Sequence, residues 1–291
     1  MRSPAVRAAL VTLGVLAHAL PVCAQPEPPV GVRAAGMAGA FTAVADDASA
    51  VVWNPAGLAS GSFFSLVLDH NSVDQGSGTL LALGTPPLGL SYYRTSLEAG
   101  SDPRRSLTLH HAGVTVLQSL TERFVVGGTL KLVHGDVSTG GASISTNRFD
   151  TDLGFVAKGS LGRIGLSVRN LTAPEFDTPE GGTARLDRRV RAGVAVNISA
   201  RSLVAADFDL TTADTPRGEW REAAIGGEAN PVKLVWVRGG VRWNTADGPS
   251  APVGSVGASV AVYGSTLADV QVSFGSEDGN RGWGAGLRFV F

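Results

Sequence analysis

From residue 62 onward, apolar and polar residues alternate in short runs separated by turn residues. In 187–199, Val190, Ala192, Val194, Val196 and Ile198 share one parity, and Arg189, Arg191, Gly193 and Asn197 share the other. In 201–210, Val204, Ala206, Phe208 and Leu210 oppose Asp207 and Asp209. In 122–134, Phe124, Val126, Leu130 and Leu132 oppose Arg123, Thr129 and Lys131. Successive side chains of a strand point to opposite faces, so each run has one greasy and one polar face. The pattern predicts fourteen strands: 62–70, 77–84, 87–95, 105–118, 122–134, 147–158, 161–170, 187–199, 201–210, 219–229, 232–244, 253–263, 266–275 and 281–291. Most are close to the roughly 9–11 residues that carry a tilted strand across a bilayer.

The connections alternate in length. Those at 71–76, 96–104, 135–146, 171–186, 211–218, 245–252 and 276–280 are long; those at 85–86, 119–121, 159–160, 200, 230–231 and 264–265 are short. Long loops on one side and short turns on the other are the rhythm of an outer-membrane barrel. A soluble sandwich has no reason to keep it. The expected fold is therefore all-β, a 14-stranded antiparallel transmembrane β-barrel over 62–291, with a small helical or irregular N-terminal plug in its lumen.

In such a barrel the apolar parity meets lipid and the ionic parity lines the lumen. Arg189, Arg191, Asp207, Asp209, Arg238 and Arg242 are the leading lumen candidates, joined by Arg123, Lys131, Asp150, Asp152, Lys158, Arg163, Arg169, Glu222, Glu228, Asp269 and Arg288. On outward parity, Phe149, Phe208, Trp243, Phe274 and Trp283 fall near loop-side ends, and Phe124, Phe289 and Phe291 near turn-side ends, as interfacial girdles do. The last run, from Trp283 to Phe291, is apolar at every second position and ends in Phe. Phe289 and Phe291 are thus the expected signal for the barrel-assembly machinery.

Composition narrows the picture. There are 38 Gly and 15 Pro among 291 residues, which argues against a helical bundle and for strands and tight turns. With 24 Lys+Arg against 25 Asp+Glu, a net charge of -1, the chain has no basic face for nucleic acid. At the start, Arg2 and Arg7 precede an apolar run from Ala8 to Leu20 and the small-residue site Val22-Cys23-Ala24. Residues 1–24 are the expected signal peptide. Cleavage after Ala24 removes the only Cys, and with it disulfides, thiolate metal sites and Cys nucleophiles.

Residues 25–61 remain as the expected plug. The small-residue run Ala34–Ala45 is helix-compatible, Asp46 and Asp47 break it, and Asn54-Pro55-Ala56-Gly57 forces a turn. A free linker would not need Phe41, Val44, Val51, Val52 and Trp53. Asp46 and Asp47 could end the helix, pair with luminal Arg residues or hold a cation. Here the stretch AAGMAGAFTAVADDASAVVWNPAGLA resembles the start of the mature chain in the FadL and PorV group of outer-membrane proteins, and NPVKLVWVRGGVRW at 230–243 is similar to a late strand of PorV-like members, PorQ-like proteins being of the same group. The resemblance implies a fourteen-stranded barrel whose N-terminal segment folds into the lumen as a hatch, the Asn-Pro-Ala turn at its heart. Asn54, Pro55, Ala56, Asp46, Asp47 and Trp53 are the expected gating residues, with Asn54 the pivot.

The resemblance also implies function. One expectation is passive transport of hydrophobic or amphipathic small molecules across the bacterial outer membrane. The alternative is a PorV-like interaction protein assisting secretion or surface assembly; an open porin is a third reading. The external loops are short for a fatty-acid transporter, and Pro86, Pro87 and Gly89 stand where the family's third strand kinks. Expected partners are outer-membrane lipids, the assembly machinery, and a hydrophobic ligand or secretion components. No cofactor, metal or enzymatic activity is expected. His110 and His111 are adjacent on a strand and point apart, Asp69-His70 lacks a nucleophile-elbow serine, and the glycines from Gly279 to Gly286 open a strand rather than a helix.

Overall fold

The structure, a computed structural model, describes residues 30–99, 105–215, 218–248, 250–276 and 281–291. The expected signal peptide 1–24 and residues 25–29 of the expected plug lie outside the described residues. In chain order the strands are β1 (Ser65–Val73), β2 (Gly76–Thr85), β3 (Leu88–Ala99), β4 (Arg105–Ser119), β5 (Phe124–Thr139), β6 (Ala142–Lys158), β7 (Gly162–Arg169), β8 (Glu175–Asp177), β9 (Thr183–Arg185), β10 (Arg189–Ser199), β11 (Ser202–Asp209), β12 (Ala213–Thr215), β13 (Gly218–Trp220), β14 (Glu222–Val232), β15 (Val235–Asn244), β16 (Val253–Tyr263), β17 (Thr266–Gly275) and β18 (Gly282–Val290). Fourteen of them close into an antiparallel up-and-down barrel, with β1 zipped to β18; β8–β9 and β12–β13 are small hairpins within loops.

The polarity of the wall is that of a membrane barrel. Outward Leu68, Leu130, Ile198, Val260 and Leu287 are exposed, whereas inward Lys131, Asp150, Asp152, Arg191, Asp209, Arg238 and Arg288 are buried. In water this arrangement would leave a continuous apolar band in solvent and ions in the interior; in lipid both faces are satisfied, and closure leaves no unpaired strand edge.

Several boundaries differ from the sequence reading. The connection at 71–76 is only a two-residue turn, because β1 and β2 stay paired out to Val73 and Gly76. The expected loop 135–146 is also wall: β5 and β6 continue as a hairpin to Thr139 and Ala142, turned by Gly140 and Gly141 at φ 58 and 92. Two positive φ values in a two-residue turn match the right-handed twist of the strands it joins. The 171–186 and 211–218 connections carry the hairpins β8–β9 and β12–β13. Arg123 sits in the exposed turn before β5 rather than in the lumen. Register runs unbroken from β2 through β4, with Thr85 opposite Leu88, so Pro86 and Pro87 form the turn and Gly89 is an ordinary paired position of β3, opposite Gly84 and Thr115.

Residues 30–61 occupy the lumen. They form α1 (Val32–Gly36), irregular turns, α2 (Ala50–Trp53) and a 3₁₀ turn over Pro55–Ser60. The helix-compatible run 34–45 stops being helical at Gly36, because Ala38 and Gly39 take positive φ values of 55 and 84. A left-handed alanine is unfavourable on its own, so luminal packing overrides local preference here.

The wall is shaved to receive this segment. A Cβ on Gly154 would lie 2.2 Å from Asn54 Oδ1; on Gly165, 2.5 Å from Thr42 O; on Gly226 or Gly240, 2.5 Å from Met37 O. The high glycine content is thus partly a close approach of wall backbone to plug backbone. Between them lies the main apolar core, in which Met37, Phe41, Val44, Val51 and Leu58 of the plug meet Leu80, Tyr93, Val125 and Val156 of the wall.

Candidate functional site

The plug is anchored by ions as well as by apolar contact. Arg33, on α1, is the centre. Its guanidinium donates to Glu228 of β14 through Nε at 2.9 Å and Nη2 at 2.8 Å, and through Nη1 to Asp46 at 2.5 Å and Asp47 at 3.0 Å. The Phe41 ring lies 5.2 Å from its carbon. Burial alone would lower this guanidinium's pKa, but the charges of Asp46, Glu228 and Asp47 hold it well above its ordinary value. Asp47 also accepts from Arg288 of β18 at 3.1 Å and from the Ser49 hydroxyl. Burial pushes the Asp47 carboxyl up; Arg33, Arg288 and Ser49 outweigh that and hold it at about 2.

The remaining sequence-predicted residues fall around this centre. Asp46, half-exposed, pairs with Arg33 and with Arg163 at 3.3 Å. Asp46 and Asp47 therefore serve as luminal ion-pair partners, and among the described residues no group of acids and histidines is arranged to hold a metal. Trp53 is buried, donates from Nε1 to Val30 O at 2.8 Å and packs edge-on against Phe41. Asn54 is fully buried: Nδ2 donates to Thr42 O at 2.9 Å and to Phe155 O of β6 at 3.1 Å, while Oδ1 accepts from Ala56 N at 3.3 Å. One amide thus ties two parts of the plug to the wall and caps the turn that Pro55 and Ala56 begin.

On the wall, the predicted luminal ions form two sets. Asp209 binds Arg189 at 2.7 Å and Arg191 at 2.8 Å, and Arg191 reaches Glu222 at 2.5 Å, with Arg242 3.8 Å from the same carboxylate. Asp207 turns instead to the plug and accepts the Phe41 and Thr42 amides at 3.1 and 2.9 Å. Arg238 joins Glu228 at 2.5 Å to Asp269 at 3.4 Å. Phe289 is half-exposed on the outer face, and Phe291 is exposed and packs edge-on against Phe64, whose backbone it pairs with.

The sequence reading had Arg33 in view only as part of the N-terminal stretch and missed its role. A lone Arg among small residues, in a segment expected inside a charged lumen, was the available signal. It also missed the outer end. There the β8–β9 hairpin folds inward and buries Phe176 among Leu97, Leu107, Leu109, Val133, Val137, Ala184 and Leu186. Gly135 makes room: a Cβ there would lie 2.3 Å from the ring. Beneath this apolar cap, Lys131 bridges Asp150 at 2.9 Å and Asp152 at 2.7 Å. Those carboxylates in turn accept the Thr172 and Asn170 amides at the base of the loop. The lumen thus holds the plug, and toward the loop side the inserted hairpin packs against the inner face of β3 to β5. At the turn-side end a cavity of about 250 Å³ lies beside Glu228, lined by Asn197, Leu203, Asn230 and Trp236.

The CymD monoaromatic hydrocarbon channel aligns with a TM-score of 0.72 at 14% identity, over 90% of this chain and 97% of that one. The toluene transporter TbuX of Ralstonia pickettii gives 0.68 at 13%, over 90% and 98%. A Pseudomonas aeruginosa FadL homologue gives 0.62 at 12%, over 92% and 98%. The fold is that of the FadL-type barrels. A family model described as "F plasmid transfer operon, TraF, protein" matches residues 116–209, a stretch of wall and loops that is less than half of the chain and excludes the plug. No curated protein matches.

Within that fold, His110 and His111 point apart, as expected of neighbours on a strand. His111 is buried in the lumen and stacks on Tyr93 at 4.0 Å, whereas His110 faces outward with its Nδ1 2.7 Å from the Tyr92 hydroxyl.

Proposed function

We propose that the chain is a passive outer-membrane conduit for small hydrophobic or amphipathic molecules, and that residues 30–61 are its hatch. The observation that carries the reading is how the plug is held. Beside the plug's apolar contacts, Arg33 and Asp47 pair with Glu228 and Arg288 of the wall, and Asp207 accepts the Phe41 and Thr42 amides; Glu228 keeps Arg238 and Arg288 keeps Asp269, so neither of these wall ions is stranded when the plug leaves. The barrel fold is shared with proteins described as monoaromatic hydrocarbon and toluene channels, which favours a small apolar cargo.

The test is uptake of radiolabelled toluene by cells carrying the barrel against cells carrying an empty vector. Faster uptake with the barrel supports the conduit. Uptake equal to vector, together with secretion components that co-purify with the barrel, supports the secretion-assisting alternative instead.

A further inference from the structure

The loop-side rim of the barrel exterior differs between its two halves. Around β11 to β18 the apolar belt ends in aromatics: Phe208, Phe274 and Trp283 are exposed and Trp243 is half-exposed. Around β1 to β6 the lipid-facing row Leu68, Leu81, Tyr92, Ala112, Leu132 and Phe149 runs across six paired strands. Two residues farther out on each strand, and so on the same face, the chemistry changes. Register sets His70 beside Thr79, Thr79 beside Arg94, Arg94 beside His110, His110 beside His134, and His134 beside Asn147. Register therefore sets one guanidinium and three imidazoles along one line across the strands, next to the greasy row; because barrel strands tilt, that line climbs across the wall, and Arg94, His110 and His134 on three adjacent strands are its compact part.

The rings are held in position by their neighbours. His70 Nδ1 lies 2.8 Å from Thr79 Oγ1, His110 Nδ1 2.7 Å from the Tyr92 hydroxyl, and His134 Nδ1 2.8 Å from Asn147 Oδ1. In each ring one nitrogen is engaged by a cross-strand partner and Nε2 is the other polar atom; that of His134 lies 3.5 Å from Asp136 in the next row out. An ordinary interfacial girdle is aromatic all the way round. Here, beyond Tyr92 and Phe149, strands β1 to β6 present cationic and hydrogen-bonding groups in place of further aromatics.

We propose that this patch binds the phosphate-bearing headgroup of an anionic lipid in the outer leaflet, whose acyl chains pack down the apolar outer face of β3 to β5 below Arg94, His110 and His134. The Arg94 fork matches two phosphate oxygens, and the imidazoles add donors on either side. The apolar row beneath makes a lipid the occupant rather than free phosphate. The inference needs only the orientation of the wall, so it stands or falls separately from the conduit reading.

Native mass spectrometry of the full chain tests it. The protein is released from detergent micelles doped equally with phosphatidic acid and phosphatidylcholine of the same acyl chains. Wild type should retain phosphatidic acid preferentially. Combined Arg94→Gln, His110→Gln and His134→Gln should weaken that preference about tenfold, the scale of one lost charge-assisted contact. Trp243→Leu, on the opposite half, should leave it intact. Heat-modifiable migration on a gel confirms that each variant is a closed barrel; if the triple variant is not, Arg94→Gln and His110→Gln alone carry the test with smaller losses. Equal retention of both lipids by wild type, an unchanged preference in the variants, or full displacement of phosphatidic acid by millimolar inorganic phosphate overturns the assignment.

Discussion

Replacing Arg33 by Ala should unfasten the plug and leave the barrel standing. The side chain is almost fully buried and meets three carboxylates, Asp46, Asp47 and Glu228. Removing one member of a buried ion pair costs about 3–5 kcal/mol, because the partner charge is stranded. Here the stranding is partial: Asp47 keeps Arg288 and Glu228 keeps Arg238. The lower end, about 3 kcal/mol, is the appropriate figure, and it corresponds to roughly a hundredfold change in the opening equilibrium. Hydrogen exchange reads that equilibrium at the amides the wall holds, Val32 on Asp69 and Phe41 and Thr42 on Asp207. Their protection should fall about a hundredfold while β4 and β5 amides stay unchanged. Planar-bilayer recordings of the same variant should show openings that wild type lacks. Plug protection within twofold of wild type, or an equal loss in plug and wall, would refute the reasoning.

Three further outcomes are expected. Gly154→Ala drives a methyl into Asn54 Oδ1 and should raise conductance at a cost of about 1–3 kcal/mol of plug docking; Gly159→Ala, in a turn with only the Gly162 oxygen nearby at 3.5 Å, should behave as wild type, and similar behaviour of the two variants would count against close plug–wall contact. The Asp47 carboxyl, held at about 2 against an ordinary 3.8, contributes docking stability that is fully present above about pH 4 and is lost as pH falls through 2. A carboxyl-carbon NMR titration should place its midpoint near 2, and a midpoint at 4 or above contradicts the ion-pair account. Phe176→Ala should remove about 3–5 kcal/mol of packing and expose 171–186 to protease, with the barrel intact; unchanged cleavage would mean that the loop is held by its polar base alone.

Much of the wall was legible because its physics is local. Strand parity is read from every second residue, and inverted polarity changes which face meets lipid without changing the period; parity puts Lys131, Asp207 and Arg238 on the polar face, and the loop rhythm with the apolar chain end turns that face inward. What parity does not give is the partner. Glu228 faces the lumen by its position on β14, but Arg33 is 195 residues away and nothing local pairs them. The extra length of β5 and β6 was missed because, beyond the apolar belt, the outward positions Asp136, Ser138, Ser143 and Ser145 are polar while Val137 and Ile144 face inward, which reverses the alternation. The break after Gly36 was missed because alanine favours helix, whereas the lumen imposes a left-handed Ala38. Phe176 lies in a loop with no period to betray it. Asn54 was found because an Asn before a Pro in a tight turn has a defined local geometry, and that geometry survives in the lumen.

The central claim is that passage requires the plug to leave its seat. A Cβ built on Gly84 lies 3.7 Å from the Ala48 Cβ, within the span of a disulfide. A chain lacking Cys23 and carrying Ala48→Cys and Gly84→Cys can therefore be locked and unlocked in place. Toluene uptake should stop when the pair is oxidised and return on reduction; uptake at the same rate in both states would contradict the account.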